Sequence, residues 1–205
     1  MNSRRFVLIS GAALLATFLA GCDKFALPSN ANAVAFKNID ITGAEYARKL
    51  DLPDQNGKLT SLDDFKGKVV VVFFGYTQCP DVCPGTMAEL AQVKKALGKD
   101  GERLQGVFVT VDPERDTSEI LKAYMGSFDP SFVALRGTPE QTTALAKEFK
   151  VFFAKVPGKT EGSYTVDHTA GSYVFDSLGK VRLFVRYGSG VEPLVADLKA
   201  LIAAA

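Results

Sequence analysis

The hydrophobic pattern begins at Lys68, after which Val69 to Phe74 form an unbroken run of β-branched and aromatic residues. Such a run, without alternation, predicts a strand buried on both faces, as in a central sheet covered by helices. Leu59 to Phe65 leads into it, and Gly75-Tyr76-Thr77-Gln78 breaks it. From Cys83 the apolar positions Met87, Leu90, Val93 and Leu97 recur at helical spacing, and Gly98 marks the helix end. Leu104 to Val111 predicts a second buried strand, stopped by Asp112-Pro113. Asp116 or Thr117 then caps a helix running through Ile120, Leu121 and Tyr124.

Phe132 to Leu135 predicts a short strand, and Thr138-Pro139-Glu140-Gln141 reads as a capping box with proline at the first helical position. That helix extends to Phe149. Residues 157–163 read as a Gly- and Lys-rich loop. Thr165 to Phe175 and Lys180 to Tyr187, joined by the turn Asp176-Ser177-Leu178-Gly179, predict an antiparallel hairpin, and Val191 to Ile202 a closing amphipathic helix. Strand, helix, strand, helix, then hairpin and helix is the thioredoxin-like order. It predicts an α/β fold with a central mixed sheet flanked by helices.

The N-terminal stretch belongs outside this fold. Arg4 and Arg5 precede an apolar run, Phe6 to Ala20, that is too short for a stable span and reads as a secretory signal. It ends in Leu19-Ala20-Gly21-Cys22, which resembles the lipobox of bacterial lipoproteins. The resemblance implies cleavage after residue 21, a lipid on Cys22, and, with Asp23 next, retention in the inner membrane facing the periplasm. Residues 22–40 are polar, small and aperiodic and read as a lipidated tether. Residues 41–205 remain, enough for one domain with a full core. With 24 basic and 23 acidic residues, no basic stripe offers itself to nucleic acid.

Cysteine arithmetic narrows the chemistry. With Cys22 assigned to lipid, two of the three cysteines remain, Cys79 and Cys83, in an oxidising compartment. They sit where a buried strand hands over to a helix. There, unpaired amides and the positive end of the helix dipole favour thiolate over thiol. Four residues apart, both sulfurs can face one side, a geometry suited to a two-thiolate clamp. Thiol-disulfide enzymes of this fold use two intervening residues; the three here loosen that attack geometry without forbidding a disulfide. Two thiolates favour Cu(I), zinc or iron–sulfur sites. His168 is the sole imidazole in the chain and stands at the entry of the hairpin, so it is the candidate third ligand. A two-sulfur, one-nitrogen set suits Cu(I), or Cu(II) with an added oxygen, whereas zinc would lack its fourth protein ligand.

Bland readings cover the other candidates. Met87 falls on the apolar stripe and reads as core. Asp112 reads as a strand stop and Asp116 as a helix cap, without catalysis. Strand alternation points Asp167 away from His168, and Lys147, Lys150, Lys155 and Lys159 read as a solvated edge.

Three motifs in order, Cys79-Pro80-Asp81-Val82-Cys83-Pro84, Val111-Asp112-Pro113-Glu114-Arg115-Asp116-Thr117 and Val166-Asp167-His168-Thr169, resemble those of the Sco/SenC family. The resemblance runs from about residue 45 to the C-terminus. It implies a thioredoxin-like fold, copper ligands at Cys79, Cys83 and His168, and a disulfide between the two cysteines when oxidised. It further implies delivery of copper to the copper-bearing subunit of cytochrome c oxidase. Other periplasmic copper chaperones or thioredoxin-like reductases are further expected partners. A thiol-disulfide oxidoreductase, using Cys79 and Cys83 on the oxidase cysteines or other periplasmic thiols, is the competing reading; a copper or redox sensor is a third.

Overall fold

The computed structural model describes residues 35–204, and within them an α/β fold is built on a six-stranded sheet. The expected signal sequence, Cys22 and most of the expected tether lie outside the described residues. Among these residues no helix is long and apolar enough to cross a membrane.

The sheet follows directly from the apolar runs. Strands β4 (Val69–Gly75), β5 (Leu104–Thr110) and β9 (Gly171–Phe175) are buried at every position. They therefore take the centre, where both faces are covered. β4 pairs parallel with β5, and β5 with β6 (Val133–Leu135). On its other side β4 pairs antiparallel with β9, which pairs with β10 (Val181–Arg186). The short β1 (Ile39–Asp40) closes the edge on β10, giving the order β1-β10-β9-β4-β5-β6. Residues 36–40 thus join the fold, and Asp197 of helix α4 (Val191–Ala203) holds them by accepting from the Lys37 and Asn38 amides. A small antiparallel pair, β2 (Asp51–Pro53) with β3 (Leu59–Ser61), precedes β4.

Helix α1 (Val82–Ala96) joins β4 to β5 and packs on α4. Met87, Leu90 and Val93 are buried, as their spacing predicts, and Gly98 follows the helix at φ +61°, a conformation a side chain would resist. Helix α2 (Ser118–Gly126) joins β5 to β6, and α3 (Pro139–Glu148) follows β6. The capping box of α3 forms: the Gln141 amide donates to Thr138 Oγ1 at 3.2 Å, and the Thr138 amide to Gln141 Oε1 at 2.8 Å. Phe73, Phe74, Phe108, Phe149 and Phe175 fill the core.

Two expectations are corrected. The chain from Thr165 to Phe175 is two strands in two sheets. β8 (Tyr164–His168) pairs with a strand the pattern did not show, β7 (Phe153–Pro157), and the chain then steps across at Thr169-Ala170 into β9. The reason is visible in burial: β8 is half-exposed with one buried residue, Val166, while β9 is buried throughout. At the step, a Cβ on Gly171 would lie 2.2 Å from the Phe184 ring, so close packing on β10 begins there. The second correction concerns Asp116. The cap of α2 is Thr117, whose hydroxyl accepts from the Ile120 amide at 3.3 Å, while Asp116 turns inward and is fully buried.

Candidate metal centre

The end of β4 delivers the chain to the site. Val111 donates its amide to the Gly75 carbonyl at 2.8 Å, and the loop then turns at Cys79, whose amide donates to the Tyr76 carbonyl at 3.2 Å. Helix α1 starts with Asp81 as N-cap, but the Asp81 side chain makes no capping bond. The Cys83 amide donates instead to Cys79 Sγ at 3.4 Å. A sulfur thus occupies the place of a capping oxygen, where the helix N-terminus stabilises negative charge.

Cys83 Sγ lies beneath, 0% exposed, and meets His168 Nε2 at 3.3 Å. His168 Nδ1 faces the Thr169 carbonyl at 3.2 Å. A carbonyl can only accept, so Nδ1 carries the proton and Nε2 turns its lone pair to the sulfurs. The Phe73 and Tyr76 rings stand nearly perpendicular to the imidazole, with centroids at 5.8 and 6.0 Å. Burial pushes the Cys83 thiol well above its ordinary value and holds the His168 imidazole below its own, favouring the neutral ring. The sulfurs of Cys79 and Cys83 and the imidazole nitrogen lie within 4.8 Å of one another, and both cysteines are free thiols. Among the described residues this is the one cluster of such groups that could hold a metal ion. Soft sulfur beside a neutral imidazole fits copper or zinc better than magnesium or calcium.

Two residues whose role at the site the sequence did not reveal, Asp116 and Arg115, hold the cluster together. Asp116 accepts from the Thr77 amide at 3.1 Å, from Thr77 Oγ1 at 2.5 Å and from Thr110 Oγ1 at 2.5 Å. It thereby pins the cysteine loop, two residues before Cys79, to the end of β5. Burial raises its carboxyl pKa, with the three donors opposing. Arg115 spans the gap to the strand that carries His168. Its Nε bonds the buried Asp112 carboxylate; Nη1 donates to the Tyr164 carbonyl at 2.9 Å and to Gln78 Oε1 at 3.2 Å. Its guanidinium stacks 3.6 Å from the Tyr164 ring centroid. Tyr164 OH donates to Asp112 at 2.8 Å, so Asp112 is more than a strand stop. A carboxylate stands at each end of the short turn from Asp112 to Asp116, but the sequence alone could not say that both point inward.

The other candidates fall as follows. Met87 is buried in the core. Asp167 is exposed, on the face of β8 opposite Val166. Lys147, Lys150, Lys155 and Lys159 are all exposed, as expected of a solvated edge; Lys155 also pairs with Glu114 at 2.6 Å and lies over Tyr164, and Lys150 lies over Tyr46.

A thioredoxin-like fold with two thiols and an imidazole converging at a helix N-terminus defines a candidate metal-binding protein of the thioredoxin class. The family model described as SCO1/SenC matches residues 40–203, and the chain belongs to that family. A SCO2-like protein of Rickettsia felis is 37% identical over 144 residues, 70% of this chain and 70% of the relative. The structure of Bradyrhizobium japonicum ScoI with copper bound shares 41% identity at a TM-score of 0.68, covering 75% of this chain and 97% of that one. Yeast Sco1 with copper bound shares 28% identity at a TM-score of 0.69, over 77% and 88% respectively.

Proposed function

We propose that this chain is a copper-binding assembly protein that holds copper through Cys79 Sγ, Cys83 Sγ and His168 Nε2. In this reading it passes the metal to the copper-bearing subunit of cytochrome c oxidase. The carrying observation is the convergence of three ligand atoms within 4.8 Å from two chain segments 85 residues apart. The copper-bound relatives support the metal's identity. A lipid on Cys22, behind the Leu19-Ala20-Gly21 signal end, would hold the domain on the inner membrane, facing the periplasm.

The site residues divide the work. Cys79, partly exposed, is the sulfur an incoming or outgoing partner ligand can reach; Cys83 is buried, and His168 is partly exposed like Cys79. Transfer then proceeds by ligand exchange at the exposed sulfur, without turnover of a substrate. Copper supplies no chemistry of its own here; it is cargo.

The same thiols support a second reading, a thiol-disulfide oxidoreductase acting on the cysteines of the oxidase copper site. An accessible Cys79 above a buried Cys83 at a helix N-terminus is the arrangement of an attacking thiol and its resolving partner. A Cu(I) titration of the reduced protein against a competing chelator, beside His168→Ala, separates the two. Tight one-to-one binding that weakens in the variant supports the copper reading. Weak binding by the wild type, or equal binding by the variant, overturns the three-ligand site and leaves thiol exchange.

A further inference from the structure

The far end of the sheet carries a surface that the metal site does not use. The β9–β10 turn, Asp176 to Lys180, projects beyond the start of β4, because β9 runs antiparallel to β4 with Phe175 opposite Val70. Cys79 lies beyond the opposite end, past Gly75. The seven residues of β4 separate the two ends by roughly 20 Å at about 3.3 Å per residue.

At this far end an open cleft of about 750 Å³ is lined by Thr42, Ala44, Arg48, Leu178, Lys180 and Arg182, among others. Leu178, at the turn tip, is 69% exposed, the most exposed large apolar side chain among the described residues. Arg48 and Lys180 make no ion pair among the described residues, whereas Arg182 bonds Asp176 and Thr42. The cleft therefore offers two cations held in no ion pair around a protruding leucine, with the Glu148 carboxylate accepting from the Arg48 backbone amide at 2.9 Å. The route of the chain gives the patch its meaning. Phe36 packs its ring on the Arg182 guanidinium, 5.6 Å from the ring centroid, so the segment leading from Cys22 enters the fold at the rim of this cleft. Even fully extended, that segment spans at most about 50 Å at ~3.6 Å per residue.

We propose that the Arg48–Leu178–Lys180 face rests on the anionic phospholipid surface to which the chain is tethered, with Leu178 entering the headgroup layer and the two cations on lipid phosphates. The inference rests on the lipid anchor at Cys22 proposed above. An anchor alone limits distance; two cations and an apolar tip beside its root also fix orientation. The β4 axis then stands away from the membrane, and Cys79 is presented at the outer end, where a partner's ligands can reach it. Attraction of each basic residue to an anionic surface is worth about fivefold in the contact equilibrium and fades with salt.

The chain contains no tryptophan, so a single introduced one reports its own surroundings. Full-length lipid-modified protein carrying Leu178→Trp is reconstituted on phosphatidylcholine vesicles with and without phosphatidylglycerol. Phe152→Trp, at an exposed position on the metal-site side, serves as the contrast. On phosphatidylglycerol vesicles the reporter at 178 should shift to the blue and be quenched by brominated lipid, and the one at 152 should not. Adding Arg48→Gln and Lys180→Gln should lower the contact ratio roughly 25-fold, two factors of about five, while the protein stays vesicle-bound. A solvent-like spectrum at 178 on vesicles that retain the protein overturns the oriented face but leaves the anchor standing. So does equal quenching at both positions. Protein that fails to float with the vesicles overturns the anchor and the face with it.

Discussion

Arg115→Lys separates positioning from mere folding. The β7–β8 ribbon has only two strands, which is marginal on its own. It brings His168 to Cys83 because something ties it down. Arg115 supplies much of that tie: two bonds from Nη1, to the Tyr164 carbonyl and to Gln78, and a stack on Tyr164, beside the ion pair to buried Asp112. Lysine can keep the ion pair but cannot fork to the other two acceptors or stack flat. Two hydrogen bonds from a charged donor contribute about 1.5–3 kcal/mol each when buried. The Arg115 side chain is 21% exposed, so we take about 2 kcal/mol for the pair. If that loss falls on ribbon docking, the docked fraction relative to undocked drops about 30-fold.

The assay needs no metal. One histidine in the chain means one imidazole resonance, and its titration reports where His168 lies. Burial holds its folded pKa below 6.5 in the wild type. A loosened ribbon exposes the ring, so the titration should move upward, toward the ordinary value, in Arg115→Lys. The sign for stability follows: a depressed histidine pKa costs stability as pH falls below the ordinary value, and this acid sensitivity should shrink in the variant. A variant that loses melting temperature yet keeps the wild-type His168 titration would refute the positioning role.

Three further outcomes follow from the packing. Gly75→Ala should destabilise by about 1–3 kcal/mol, a few degrees in melting temperature, because its Cβ would meet Cys83 Sγ and Phe73 at 2.8 Å. A melting curve unchanged within a degree would show that this contact relaxes freely. Asp116→Asn removes a carboxyl whose pKa burial raises, so the wild type loses stability relative to the variant as pH rises from about 4 through the raised value; parallel stability–pH curves would contradict it. Iodoacetamide on the reduced protein should alkylate Cys79 well before Cys83, which is buried and whose thiol burial keeps protonated; equal rates by mass spectrometry would count against the buried geometry.

The sequence by itself determined the central sheet, because strands buried on both faces leave unbroken apolar runs, as in Val69–Phe74 and Val107–Val109. Local chemistry also determined the capping box at Thr138 and the placement of Cys79 and Cys83 at a strand-to-helix junction. Only the tertiary structure decided the rest. Residues 153–157 are mostly exposed and carry no clean alternation, and the alternation of residues 164–168 does not say which strand pairs with them, so the single predicted strand from Thr165 to Phe175 divides in two. Asp116 is a residue of capping type beside a true cap, and whether it faces the helix or the core depends on Thr77 and Thr110, 39 and 6 residues away in sequence. Arg115 carries no mark of its role until Gln78 and Tyr164 are brought to its guanidinium. Contacts between segments distant in sequence leave no periodicity, and it is such contacts that bring His168 over the two sulfurs.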